Sequence, residues 1–178
     1  MGNRFLVPSA TPGQEGGMTL LSTTTLTGAS VTLSSIPQTY TNLVFVMFGM
    51  TNATSNGGIV LKPNNTSNLS SHIIIDTTST TLGTVRNNNL GDILPVYSSL
   101  IDRTDANNAY ILTINNYTNT TFYKPFNFYG HALATPTVYR YNIIGAGNII
   151  TNSAISSFNF ANNGGNWLTG TVLTYGVK

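Results

Sequence analysis

Residues 20–46, LLSTTTLTGASVTLSSIPQTYTNLVFV, contain the pattern that decides the fold. A run of Leu, Ser and Thr residues is closed by Gly28, and from Ala29 to Ser34 apolar residues alternate with Ser and Thr. This period of two is typical of a half-buried β-strand, because successive side chains of a strand point to opposite faces. Residues 43–48 are apolar throughout, which predicts a central strand covered on both faces.

Further short apolar segments follow, separated by loops rich in Gly and Asn. The predicted strands cover residues 59–61, 72–76, 93–101, 109–114, 122–129, 138–144, 154–160 and 170–177. We expect turns at Asn87–Asn89 and at Gly145–Asn148, and Pro125 predicts an edge strand or a bulge. No segment has the periodicity of an amphipathic helix. The chain is therefore predicted to be all-β, an antiparallel sandwich or barrel over residues 18–178.

Residues 1–17 form a separate segment, because Pro8, Pro12, Gly13, Gly16 and Gly17 oppose regular structure. A small apolar cluster in this segment consists of Phe5, Leu6 and Val7 and directly follows Arg4. One interpretation is a frayed terminus. The other is an extended N-terminal arm whose apolar residues dock on a neighbouring subunit, and these four residues are the predicted contacts.

Charge is scarce along the whole chain. Only 7% of the residues are charged, compared with about 25% in typical soluble domains. Nucleic-acid binding requires clustered Lys and Arg, and no short window here holds three of them. The longest apolar run, residues 43–50, is far shorter than the roughly 18 residues that suggest a membrane span. We therefore predict neither a nucleic-acid partner nor a membrane partner.

The residues that carry catalysis and metal binding are few and scattered. The chain has no Cys, which excludes disulfides, thiolate metal sites and Cys nucleophiles. Asp102 and Asp105 provide some of the oxygens of a calcium loop, but Arg103 lies between them and the usual ligand rhythm is missing. A solvated hairpin turn is the preferred interpretation of that segment. A carboxylate pair formed by Asp76 and Asp92 has no support from a motif.

The remaining motifs are equally weak. His72 and His131 are isolated, and Gly145-Ala-Gly147 is not a phosphate loop because no helix follows it. The sequence therefore predicts no catalytic residue, no metal site and no cofactor, and a protein that is not an enzyme.

Aromatic residues are concentrated in the second half of the chain. They are Phe122, Tyr123, Phe126, Phe128, Tyr129, Tyr139, Tyr141 and Trp167. Filling the core or a subunit interface is the favoured interpretation, because these side chains bury a large area. The alternative is a sugar site in which exposed rings stack on a ligand beside Asn amides. Tyr123, Tyr129 and Trp167 are the candidate ligand or interface aromatics.

Two stretches carry a resemblance to a known group of proteins. Residues 20–46, together with residues 166–178 (NWLTGTVLTYGVK), resemble small virion proteins of tailed bacteriophages. The resemblance implies a jelly-roll-like β-sandwich and a role as a capsid decoration (cement) protein or a tail-appendage component. Decoration is favoured, since the chain is short and lacks the long repetitive shaft of a fibre.

The same resemblance implies partners and a location. We expect a homo-oligomer, with a trimer as one option, located in the virion and bound without covalent bonds to the major capsid protein or to other virion proteins. The alternative function is that of a receptor- or carbohydrate-binding module of the tail, for which a glycan is the expected ligand.

Overall fold

The computed structural model describes residues 17–54, 57–66, 70–77, 82–91, 106–134 and 139–178. These residues form eleven β-strands and contain no helix. The strands are β1 (Met18–Thr25), β2 (Ser30–Leu33), β3 (Asn42–Asn52), β4 (Ile59–Pro63), β5 (Ser70–Thr77), β6 (Leu82–Gly91), β7 (Asn108–Ile114), β8 (Lys124–Ala134), β9 (Tyr139–Ile149), β10 (Phe158–Asn162) and β11 (Trp167–Val177). The predicted arm lies outside the described residues except for Gly17, as does the strand predicted at residues 93–101.

The strands form two antiparallel sheets of unequal size. The large sheet has eight strands in the order β1-β11-β3-β7-β8-β9-β5-β6, and the small sheet has three in the order β2-β10-β4. Every pair of neighbouring strands is antiparallel. The prediction of an all-β antiparallel sandwich is therefore confirmed.

The inner face of the large sheet packs against the small sheet. Every second residue at the start of β3 points to the inner face, and these residues, Leu43, Phe45 and Met47, are completely buried. The ring of Phe45 lies 4.7 Å from that of Phe158 and 5.5 Å from that of Phe160, measured between ring centroids. Both partners belong to β10, the middle strand of the small sheet. These aromatic contacts join the two layers of the sandwich.

The two stretches that carry the phage resemblance lie side by side. Strand β11 pairs with β1 on one edge and with β3 on the other. Gly28 closes the turn after β1 with a φ of 61°, in the left-handed region that favours glycine. Its carbonyl accepts a hydrogen bond of 2.7 Å from the amide of Trp167, which ties this turn to the start of β11.

The loop predicted at Gly145–Asn148 is wrong, because these residues continue β9. Gly145 pairs with Phe128 and Gly147 pairs with Phe126 on the neighbouring strand β8. Both Phe side chains are buried on the inner face. A glycine opposite an aromatic residue leaves room for the ring, so these glycines adapt the strand to a crowded core rather than ending it.

Two further expectations need correction. Asn87–Asn89 do not form a turn but belong to β6, the last strand of the large sheet. Among the described strands β6 pairs on one side only, and a strand in such a position tolerates a polar sequence. Pro125 lies neither in an edge strand nor at a bulge, because it is the second residue of the central strand β8. Its carbonyl accepts a hydrogen bond from the amide of Asn115, so the ladder loses little at this position.

Gly130 tests the packing of the core. A Cβ at this position would lie 2.2 Å from Cδ1 of Tyr110 and 2.6 Å from the carbonyl oxygen of Ala109. Gly130→Ala should therefore lower the free energy of unfolding by about 1–3 kcal/mol, measured by urea denaturation. Gly17→Ala is the matched control, because a Cβ at Gly17 meets no atom within 4 Å. Equal stability of the two variants would contradict the packing argument.

Tyr110 provides a second test. Its side chain is buried, and its hydroxyl has no hydrogen-bond partner among the described residues. Because a buried hydroxyl without a partner is costly, Tyr110→Phe should leave the free energy of unfolding at pH 7 unchanged or raise it by up to about 2 kcal/mol. Burial also raises the pKa of Tyr110 above its ordinary value of 10.0.

The sign of the pH dependence follows from that shift. Above pH 10 the unfolded chain loses the phenolic proton of Tyr110 while the folded chain retains it, so stability should fall as the pH rises. The Phe variant should lack this part of the loss, which chemical denaturation between pH 8 and pH 11 would measure. Parallel stability profiles for the two proteins would contradict the assignment.

Candidate interaction surface

The outer face of the large sheet, which points away from the small sheet, carries apolar side chains. In an antiparallel sheet with one solvated face, that face is normally polar. Here the outward positions of β3 include Val44 and Val46, which are half-buried, and Phe48, which is exposed. Residues 43–48 form part of a central strand, but the predicted cover on both faces is wrong among the described residues, because the small sheet covers only the inner set.

Strand register aligns the apolar side chains of the outer face. Leu173 pairs with Val46, Val46 with Ile111, Ile111 with Tyr129, and Tyr129 with Ile144. These five residues form a continuous line across β11, β3, β7, β8 and β9, which we call the apolar row. The exposed fraction is 51% for Tyr129 and 67% for Ile144. A contiguous exposed apolar surface of this kind is characteristic of a binding site.

The positions on either side of the apolar row are uncharged. On one side lie Phe48, Ala109, His131 and Asn142, and on the other Val44, Thr113, Asn127 and Ala146. None of these residues is Asp, Glu, Lys or Arg. An open depression of about 810 Å³ lies over the row and is lined by Ile111, Tyr129 and Ile144, among others. The surface therefore suits an apolar, uncharged partner.

A second exposed feature lies at the end of the sheet, in residues 115–123 between β7 and β8, which we call the aromatic loop. Phe122 is 68% exposed and Tyr123 is 52% exposed. Together with Thr121 and Asn152 they line a groove of about 260 Å³. The loop therefore presents two aromatic rings beside an amide and a hydroxyl.

Hydrogen bonds define the shape of the aromatic loop. The side-chain oxygen Oδ1 of Asn119 accepts hydrogen bonds from the amides of Thr121 and Phe122, at 2.6 and 2.7 Å. Tyr117 is completely buried and anchors the base of the loop, where its hydroxyl donates to the carbonyl of Pro37. These contacts fix the backbone of the loop that carries the exposed rings of Phe122 and Tyr123.

Lys124 joins the aromatic loop to the segment that follows β9. Its side chain is buried, and Nζ donates to the carbonyl oxygen of Thr151 at 2.6 Å and to that of Phe122 at 3.4 Å. Burial lowers the pKa of Lys124, because it penalises the charged form. The amine has a structural role here, because its two hydrogen bonds hold the carbonyl groups of Phe122 and Thr151 close together, and Thr151 precedes Asn152.

The structure separates the three candidate aromatic residues. Tyr129 lies in the apolar row, Tyr123 in the aromatic loop, and Trp167 in the core, where it is 3% exposed and its indole N–H donates to the carbonyl of Phe160. The Trp167 ring is therefore not accessible to a ligand, because the surrounding core residues bury almost all of it. The predicted arm contacts Arg4, Phe5, Leu6 and Val7 lie outside the described residues.

No three His, Cys, Asp or Glu residues cluster in the described part of the chain. His131 lies on the outer face between Ala109 and Asn142 in strand register, and Asp92, Asp102 and Asp105 lie outside the described residues. In the same described ranges, no helix is long and apolar enough to span a membrane.

Sequence reasoning did not identify Ile111, Ile144 or Asn152 as surface residues of interest. Ile111 and Ile144 belong to predicted strands, but only the pairing of β7, β8 and β9 shows that they align with Tyr129. Asn152 lies about 30 residues from the aromatic loop in sequence, and no local pattern connects the two. The one available signal was the apolar character of residues 43–48 on both faces.

Comparisons with known proteins leave the family open. No protein-family model matches the chain, and no curated protein matches it. The search of solved structures found the crystal structure of a protein of unknown function from Shewanella oneidensis MR-1. That match has 14% sequence identity and a TM-score of 0.23, and it covers 91% of this chain and 76% of the other.

Proposed function

We propose that this protein is a structural virion protein of a tailed bacteriophage, a capsid decoration protein that self-associates and binds the shell without covalent bonds. The observation that carries the proposal is the apolar row, whose flanking positions on β3, β7, β8 and β9 contain no Asp, Glu, Lys or Arg. The resemblance of residues 20–46 and 166–178 to phage virion proteins supplies the biological setting.

The size of the outer face supports a protein partner. Five strands spaced about 4.8 Å apart, with three rows of outward residues, give a flat footprint on the order of 500 Å² before side-chain relief is counted. A stable interface buries about 800 Å² per partner, so this face supplies most of what association requires. A small molecule would leave much of the apolar row uncovered.

A second copy of the chain is the partner that fits this face best. In a twofold interface the same surface meets itself, so the surface must be compatible with its own charge pattern. The apolar row and its neighbours carry no Asp, Glu, Lys or Arg, so two copies meet without repulsion or unpaired buried charge. Two sheets also pack face to face at about 10 Å with interdigitating side chains.

Ile144 tests the self-association. Its side chain is 67% exposed, so Ile144→Lys should leave the fold intact while it places a charge in the apolar row of each copy. We expect sedimentation velocity to show an oligomer for the natural protein and a shift of the variant toward the 19.0 kDa monomer. The dissociation constant should rise by about tenfold or more.

Leu168→Lys is the matched control, because Leu168 is also a large exposed aliphatic residue, at 60%, but lies outside the apolar row. This variant should associate like the natural protein. A natural protein that stays monomeric at high micromolar concentration would contradict self-association, and an equal effect of both variants would contradict the use of the outer face.

The location in the virion and the role of the N-terminal arm have their own test. Deletion of residues 2–17, which include Arg4, Phe5, Leu6 and Val7, should leave a folded β-sandwich by circular dichroism. Because the arm is proposed to reach a neighbouring subunit, the truncated protein should no longer be incorporated into purified phage particles, as measured by quantitative mass spectrometry.

Normal incorporation of the truncated chain would reject the role of the arm while leaving the virion assignment intact. Absence of the full-length protein from purified particles would reject the virion assignment itself. The two outcomes are therefore separable in one experiment.

A further inference from the structure

The aromatic loop carries chemistry that protein assembly does not explain. We propose that Phe122, Tyr123, Thr121 and Asn152 form a binding site for a neutral sugar ring, independent of the outer face. Phe122 and Tyr123 are neighbours in sequence and both are more than half exposed. Leaving two large aromatic rings in water has a cost that a bound partner would remove.

The groove is organised before any ligand arrives. One wall is the aromatic loop, whose backbone is fixed by the two hydrogen bonds to Oδ1 of Asn119. The other wall contains Asn152, next to Thr151, whose carbonyl accepts the 2.6 Å hydrogen bond from Lys124. Since Lys124 also bonds the carbonyl of Phe122, one buried amine holds both walls in place. Preorganisation of this kind reduces the entropy lost on binding.

The residues that line the groove determine the class of ligand. Aromatic faces accept the C–H face of a pyranose ring, and an Asn amide and a Thr hydroxyl both donate and accept hydrogen bonds, as sugar hydroxyls do. None of the four lining residues is charged, and the amine of Lys124 is already bonded to two carbonyls. These groups offer an acidic ligand no free cation, so a neutral sugar is the matching chemistry.

The size of the groove favours a sugar over a protein partner. Its volume of about 260 Å³ is smaller than the roughly 300–1,000 Å³ of pockets for drug-sized ligands. A groove of this size accommodates one ring with its substituents. A protein interface needs several hundred Å² of contact, and the four lining residues do not supply it.

Binding can be tested on the full-length protein with immobilised neutral glycans that end in glucose, galactose, mannose or N-acetylglucosamine, and with sialylated glycans as the acidic comparison. We expect at least one of the neutral glycans to bind and to shift the backbone amide NMR signals of residues 121–123 and 152 when added in soluble form. Phe122→Ala, Tyr123→Ala and Asn152→Ala should each weaken binding by about tenfold or more, because each removes a stacking face or a hydrogen-bond partner.

Leu168→Ala is the matched control, because Leu168 is a large side chain at least as exposed as Tyr123, at 60% against 52%, and lies outside both the groove and the apolar row. It should bind the glycan normally. Asn119 is a positioning residue: Asn119→Ala should weaken binding, while Asn119→Asp should preserve it because a carboxylate oxygen still accepts the two amide hydrogen bonds.

Three results would overturn the proposal. They are no neutral glycan bound above the level of the Tyr123→Ala variant, binding confined to sialylated glycans, and equal loss in the Leu168→Ala variant. None of these results depends on where the protein is located. Failure of the sugar site would therefore leave self-association and incorporation into particles to be judged on their own tests.

Discussion

The packing of Phe45 against Phe158 and Phe160 is the interaction on which the rest of the structure depends. It joins the eight-stranded sheet to the three-stranded sheet through the middle strand of the small layer. Phe158 and Phe160 also contact each other, with ring centroids 5.3 Å apart, so the three rings form one cluster. The cluster fixes which face of β3 is inner, and register then fixes the inner face of every strand paired with it.

Once that face is fixed, the opposite face must either be polar or be covered. The small sheet has only three strands and lies on one side, so it covers none of the outer face. Soluble sheets usually protect such a surface with charged side chains. The rows around Val46, Ile111 and Tyr129 contain no Asp, Glu, Lys or Arg on β3, β7, β8 and β9, so this part of the face lacks that protection, and the proposed self-association would cover it.

The sequence predicted the elements better than it predicted the surfaces they form. The alternation at Ala29–Ser34 and the apolar run at 43–48 identify strands because both patterns are local. The Gly residues of β9 were misinterpreted because their role depends on Phe126 and Phe128 across the sheet. The apolar row needs the pairing of strands distant in sequence, such as β11 with β3, which no local pattern contains. The sequence likewise contained no sign that Tyr129 is exposed and Trp167 buried, because tertiary packing decides that difference.

The two surfaces lie on one rigid element, which lets a single chain use both. Strand β8 begins at Lys124, directly after the aromatic loop, and reaches the apolar row at Tyr129. Tyr129 lies six positions after Tyr123, and a strand rises about 3.4 Å per residue, so the two residues are on the order of 20 Å apart along the strand. Because β8 is paired on both sides by β7 and β9, it resists bending between them. A partner whose contacts are confined to the apolar row and its flanking positions would therefore leave the groove of the aromatic loop open.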